Sequence, residues 1–242
     1  MQAPSLNAVD GIDTLRERMV NADTVEEWSF ILKDYISAGN TKINDRTAIF
    51  NMNSAHDCPN YATRENGESK TGYCQVPKEE CYAAVAEDIY SGPLAYRRRQ
   101  EYLWDSMPPE LWAMAFRSLN SRKRKPFDTI RFSEAGDFRA DEDIRRVNII
   151  SGMLDVDVYT YSASHKLNWD LAENFTVNAS NDRANYGDRR YVAVESADDI
   201  PDDAIRCPHD YQKANGSDDP VKCGSCTACI KKDAPDVHIV MH

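Results

Sequence analysis

Six short apolar runs separated by helical patterns or short crossovers predict an α/β protein. The expected architecture is a partial (β/α) barrel of about six mostly parallel strands, with an N-terminal helical segment and a C-terminal cysteine-rich loop. Two further observations support that class. Polar loop residues gather just after the carboxyl ends of several runs, which is where parallel α/β sheets bind ligands. The chain has 242 residues, 41% hydrophobic and 29% charged, so it can bury a substantial core. The reading divides it into a helical segment at 1–45, the α/β core at 46–205, and a metal-binding loop with a final strand at 206–242.

Taken in order, Asp23 to Glu27 form a capping box before Trp28, Phe30, Ile31 and Leu32, which recur at helical spacing. Thr47 to Met52 reads as a buried strand running into His56-Asp57-Cys58. Tyr82 to Asp105 reads as one helix, with Tyr90, Leu94, Tyr102 and Leu103 buried. Pro108-Pro109 opens another helix from Glu110 to about Ser118. Asp128–Ser133 is the next strand, followed by a helix over Glu142–Met153 and strands at Val156–Tyr161, Phe175–Ser180, Tyr191–Glu195 and Val237–Met241. No internal repeat or low-complexity segment interrupts the pattern.

The net charge of −11 excludes a broad electropositive face for duplex DNA. Asp outnumbers Glu and Arg outnumbers Lys, a balance suited to high salt, so a halophilic source is expected beside an ordinary acidic one. No run reaches the roughly 18 apolar residues of a membrane span, and no basic segment followed by an apolar run opens the chain. The expected location is the interior of a host cell, with virion association as the alternative.

The seven cysteines form two groups. Cys58, Cys74 and Cys81 are spaced C-x15-C-x6-C, and Cys207, Cys223, Cys226 and Cys229 are spaced C-x15-C-x2-C-x2-C. An odd count argues against a disulfide framework. Thiolates two residues apart can close on one metal or cluster, and Gly224, Ser225, Thr227 and Ala228 leave room for backbone amides near the sulfurs. The tight triple favours a [4Fe–4S] cluster, with zinc as the alternative. Three thiolates at the first group would leave one iron open, unless His56 supplies a fourth ligand.

Two family resemblances meet here. The strand Ile49-Phe50-Asn51, the three-cysteine loop ending in Cys81-Tyr82, and the strand Arg131-Phe132-Ser133 with its acidic glycine turn resemble radical S-adenosylmethionine enzymes. Their usual loop is C-x3-C-x2-C, shorter than this one. The resemblance implies that Ser133, Glu134, Gly136 and Asp137 contact the methionine end of S-adenosylmethionine. Asn178 and Ser180 are then candidates for ribose or substrate hydroxyls. Cys58-Pro59, Cys81-Tyr82-Ala83-Ala84, Gly136-Asp137-Phe138 and Tyr159-Thr160-Tyr161 resemble the phage "gene product 88" family, which implies a viral or mobile-element origin.

Two functions follow. In the first, an open three-cysteine [4Fe–4S] site binds S-adenosylmethionine, a reductant protein supplies an electron, and the four-cysteine set is an auxiliary cluster. In the second, both sites hold iron–sulfur or zinc purely to staple loops of a structural viral protein that binds protein or RNA. Arg97-Arg98-Arg99 and Arg122 to Lys125 would then face nucleic acid, with Tyr96 and Phe127 stacking on bases.

Overall fold

A computed structural model describes residues 11–240 apart from 61–62, 66–67, 71–73, 75, 77–78, 80 and 181–184. Two helices come first, α1 (Ile12–Val20) and α2 (Val25–Lys33). Thr24 caps α2: its hydroxyl accepts from the Glu27 amide at 3.2 Å, and the Glu27 carboxylate accepts from the Thr24 amide at 2.9 Å. Ile31 and Leu32 turn inward, whereas Phe30 is half exposed. Strands β1 (Ser37–Ala38) and β2 (Thr47–Phe50) follow, then a separate hairpin of β3 (Thr63–Glu65) and β4 (Glu68–Lys70).

Helices α3 (Tyr82–Ile89) and α4 (Ser91–Ser106) replace the single helix expected from Tyr82 to Asp105. Pro93 has no amide to donate to the Ile89 carbonyl, so the helix stops and restarts through extended Tyr90 (φ −114°, ψ 125°). Tyr90 is consequently exposed rather than buried, and Leu94 and Tyr102 are half-buried, while Leu103 is fully buried as expected. Next come α5 (Pro109–Ser121), β5 (Thr129–Phe132), α6 (Asp141–Met153), β6 (Asp157–Ser162), β7 (Thr176–Ala179), β8 (Arg189–Val194) and β9 (Ile205–Arg206). The described chain ends with α7 (Pro208–Ala214), the single turn α8 (Cys223–Cys226) and β10 (Val237–Val240).

Eight strands make one sheet in the order β1-β2-β5-β6-β7-β8-β10-β9. Only β1 is antiparallel to its neighbour. The sheet stays open, with β1 and β9 as its edges, so it is not a closed barrel. The expected count of six falls short because both edge strands are two residues long, too short to carry an alternation.

Alternation along each strand gives the sheet two unlike faces. Ala48, Phe50, Ile130, Phe132, Val158 and Val177 join the core under the helices. There Phe50 meets Trp112 edge-on at 5.5 Å between ring centroids, and Trp112 stacks on Phe116 at 5.4 Å. Each such buried ring contributes about 2–3 kcal/mol. On the other face, register aligns Ile49 with Arg131, Arg131 with Tyr159, and Tyr161 with Asn178. The cysteine-rich segment covers this second face.

Candidate ligand cavity between two cysteine sets

Asp57 and Glu87 fix the loop that carries Cys58. The Glu87 carboxylate is buried and accepts from the backbone amides of Ala55 (2.9 Å) and His56 (3.0 Å), while Arg97 pairs with it at 2.7 Å. Arg98, 3% exposed, donates to both Asp57 oxygens at 2.8 and 2.9 Å. Two cations that could have faced nucleic acid are thus spent inside the fold. The proposed stacking residues are similarly engaged: Phe127 is buried, and Tyr96 lies against Tyr35 at 6.0 Å between centroids. Arg122 donates to Ser118 at 2.8 Å and also reaches Ser29.

The turn after β5 is fastened by two asparagines whose role only the structure reveals. Asn51 accepts from the Ala135 amide at 2.8 Å and donates to Gln100 at 3.0 Å. Asn53 exchanges hydrogen bonds with the backbone of Asp137, at 2.7 and 3.0 Å. Gly136 is obligatory: its φ is +72°, and a Cβ would lie 1.6 Å from Asn53 Oδ1. Asp137 is a cross-brace. Its carboxylate accepts from the Ser162 hydroxyl (2.6 Å) and from the Ala163 and Phe138 amides (both 2.7 Å). Burial nonetheless pushes its carboxyl up to about 6.

Above these loops opens a cavity of about 450 Å³. Cys58, Cys74 and Cys81 line it together with Arg131, Ser133, Glu134, Gly136, Asp137, Ser180 and Cys223. Five of the six expected cofactor-binding residues therefore meet on one cavity. Asn178 does not: its amide donates to the Thr160 and Cys229 carbonyls, both at 2.9 Å, and its Oδ1 accepts from Arg189 at 3.0 Å. Asn181 and Asp182, the polar residues that follow Ser180 in the sequence, lie outside the described residues. His56 is not in the lining, and its Nε2 stands 2.9 Å from Asp88.

The second set surrounds a void of about 20 Å³ lined by Cys207, Cys223, Cys226 and Cys229. Thr176 donates to the Ile230 carbonyl at 2.7 Å, Asn178 donates to that of Cys229, and Arg189 donates to those of Lys231 and Ala234, pinning the segment to the sheet. The Cys223 amide donates to the Lys42 carbonyl at 3.1 Å, and Lys42 pairs with Asp210 at 3.1 Å. Cys223 lines both cavities.

All seven cysteines are free thiols. Burial raises Cys58, Cys74, Cys207 and Cys223 above the usual thiol range and pushes Cys229 up to about 11. Backbone amides oppose burial at three sulfurs: Asn60 donates to Cys58, Val76 to Cys74, and Asp210 and His209 to Cys207. Among the described residues, no group of three or more His, Cys, Asp or Glu is arranged to hold a metal ion. The expected ligand sets thus share cavity walls without converging on a single point. Among the described residues no helix is long and apolar enough to cross a membrane.

Neither the curated proteins nor the solved structures searched contain a match to this chain. The likeness to radical S-adenosylmethionine enzymes finds no support in these comparisons. The family model described as Gene product 88 matches residues 28–232, a span that takes in β2, the cavity loops and all seven cysteines; the chain belongs to the Gene product 88 family.

Proposed function

We propose that this Gene product 88 protein, of viral or mobile-element origin, is an iron–sulfur protein that binds a small molecule beside a three-cysteine [4Fe–4S] site. The observation that carries this reading is the wall of the large cavity, where Cys58, Cys74 and Cys81 lie beside Ser133, Glu134 and Ser180. Six parallel strands in chain order, β2-β5-β6-β7-β8-β10, form an open sheet, and the loops after β2, β5, β6 and β7 reach that wall. Amide donors at Cys58, Cys74 and Cys207 suit thiolates bound to iron, whose potential and stability such bonds tune.

A single zinc ion needs four donors meeting at about 2.3 Å from one point. Three cysteines on the cavity wall with His56 outside it suit a cluster with one open iron better than a closed four-ligand zinc site. When bound, such a cluster supplies one-electron chemistry and an iron open to an external ligand, S-adenosylmethionine being the ligand implied by the resemblance. The protein's own residues bind and orient. Glu134 offers a carboxylate to a cationic group, Ser133 and Ser180 offer hydroxyls, and Asp137 fixes the loops. The closed four-cysteine set favours a second, purely structural role for its own metal, as a staple of the C-terminal segment.

The test is metal analysis and EPR on anaerobically purified protein, with and without S-adenosylmethionine. About eight irons per chain and a reduced-cluster signal shifted by the ligand is the expected result. Four irons with no response would leave only the staple, and two zincs would overturn the iron–sulfur reading.

A further inference from the structure

Arg131 points away from the aromatic core, because Ile130 and Phe132 on either side of it enter that core and the strand alternates. Its guanidinium carbon sits 4.9 Å over the Tyr161 ring, and Tyr161 meets Tyr191 edge-on at 4.9 Å. Arg131 Nε is buried without a hydrogen-bond partner, and the residue lines the large cavity. Two residues on, Ser133 repeats the anomaly. Its Oγ is buried without a partner, it lines the same cavity, and its backbone is left-handed at φ 57°. A non-glycine residue held there costs about 1 kcal/mol or more and marks a position the surroundings enforce. A guanidinium with a buried Nε that donates to nothing and a hydroxyl in the same state, at one strand end and facing one space, are the two halves of an anion site.

We propose that Arg131 and Ser133 anchor the carboxylate of a monoanionic small molecule whose apolar part lies against the cavity wall formed by Tyr82, Tyr161 and Tyr191. The planar guanidinium fork accepts a carboxylate or a phosphate, and the charge of the rest of the wall selects between them. The remaining wall carries Glu134 and Asp137, which disfavour a dianion. A volume of about 450 Å³ suits a ligand of this class. This keeps the cavity of the proposed function, assigns it a ligand class other than S-adenosylmethionine, and does not depend on what metal the thiols hold.

The test is phenylglyoxal labelling of the full chain in benzoate, inorganic phosphate or chloride at equal ionic strength, with the Arg131 peptide followed by mass spectrometry. Benzoate is expected to slow Arg131 labelling about tenfold relative to chloride, and phosphate to slow it little. Equal rates in all three salts, or an Arg131 that never reacts, would overturn the anchor; stronger protection by phosphate would overturn the carboxylate assignment. Benzoate titration of Arg131→Gln and Ser133→Ala should show about tenfold and threefold weaker binding, with Arg122→Gln unchanged. Should Arg131→Gln fail to fold, labelling of the unaltered chain still decides. Protein with no iron that benzoate still protects would sink the iron–sulfur reading alone, and iron-loaded protein without protection would sink the anchor alone.

Discussion

The two cysteine regions use one residue type in opposite settings. Cys58, Cys74 and Cys81 stand on the wall of a space of about 450 Å³, held from behind by the buried pairs Arg98–Asp57 and Arg97–Glu87. The second set closes on about 20 Å³ and is held from the sheet by Thr176, Asn178 and Arg189 reaching backbone carbonyls. Carboxylate–guanidinium pairs support the open region, whereas hydroxyl, amide and guanidinium donors reaching backbone carbonyls support the closed one. What differs is therefore whether the scaffold leaves room for a ligand, a property of the packing around the thiols rather than of the thiols themselves.

The largest effect should come from breaking the support of the open region. Asp57→Ala leaves Arg98 buried and unpaired by that carboxylate, and should lower unfolding free energy in urea by about 3 kcal/mol. Beneath the same pair lies Glu101, whose carboxyl burial and the neighbouring Asp57 push up to about 7 from 4.5, with Asp105 adding and Arg139 and Arg98 opposing. The native chain then keeps a proton that the unfolded chain loses as pH rises through that window. Stability should be greatest below pH 4.5 and fall by about 3 kcal/mol on reaching pH 7, as far as this group is concerned. Urea titrations across that range on the protein and on Glu101→Gln should show the slope reduced in the variant.

The closed region should yield by a smaller amount. Asn178→Ala removes bonds to the Thr160 and Cys229 carbonyls and should cost about 2 kcal/mol. Hydrogen exchange should quicken over 228–231 while the loop at Cys58 is unaffected, which separates the two supports. Smallest, and opposite in sign, is Ser133→Gly. Relief of the left-handed backbone should raise stability by about 1 kcal/mol, read by thermal unfolding, while benzoate binding weakens. A variant that lost stability instead would show that the Ser133 side chain supports the loop rather than serving a ligand.

Much of the frame could be read along the chain. The strand runs at Thr47, Asp128, Val156 and Val237, the capping box at Thr24 and the helix after Pro108 all carry local periodicity or cap chemistry, and the helices and strands fall on them within a few residues. The break at Tyr90 was also written locally, in Pro93, but helical spacing across it hid the interruption. Edge strands of two residues had no pattern to find.

Within the cavity, the cysteine spacing and the Gly136-Asp137 turn drew attention to loops that line it. Arg131 did not stand out, because one basic residue in a strand carries no signal until Ile130 and Phe132 are known to enter the core. Arg97 and Arg98 gave the converse error. Three consecutive arginines look like a surface patch, and only the positions of Glu87 and Asp57, 10 and 41 residues away, turn two of them inward. Asn178 likewise took its partners from Cys229, 51 residues on.

By itself the sequence determined the element types, the acidic surface and the grouping of seven cysteines, since propensity, capping, charge and spacing are local quantities. Tertiary structure alone decided that the two groups flank cavities sharing Cys223, that the sheet remains open, and that Arg131 Nε and Ser133 Oγ are left without hydrogen-bond partners beside one space. Those depend on register between strands and on which distant group reaches each buried charge, and neither quantity exists until the chain has folded.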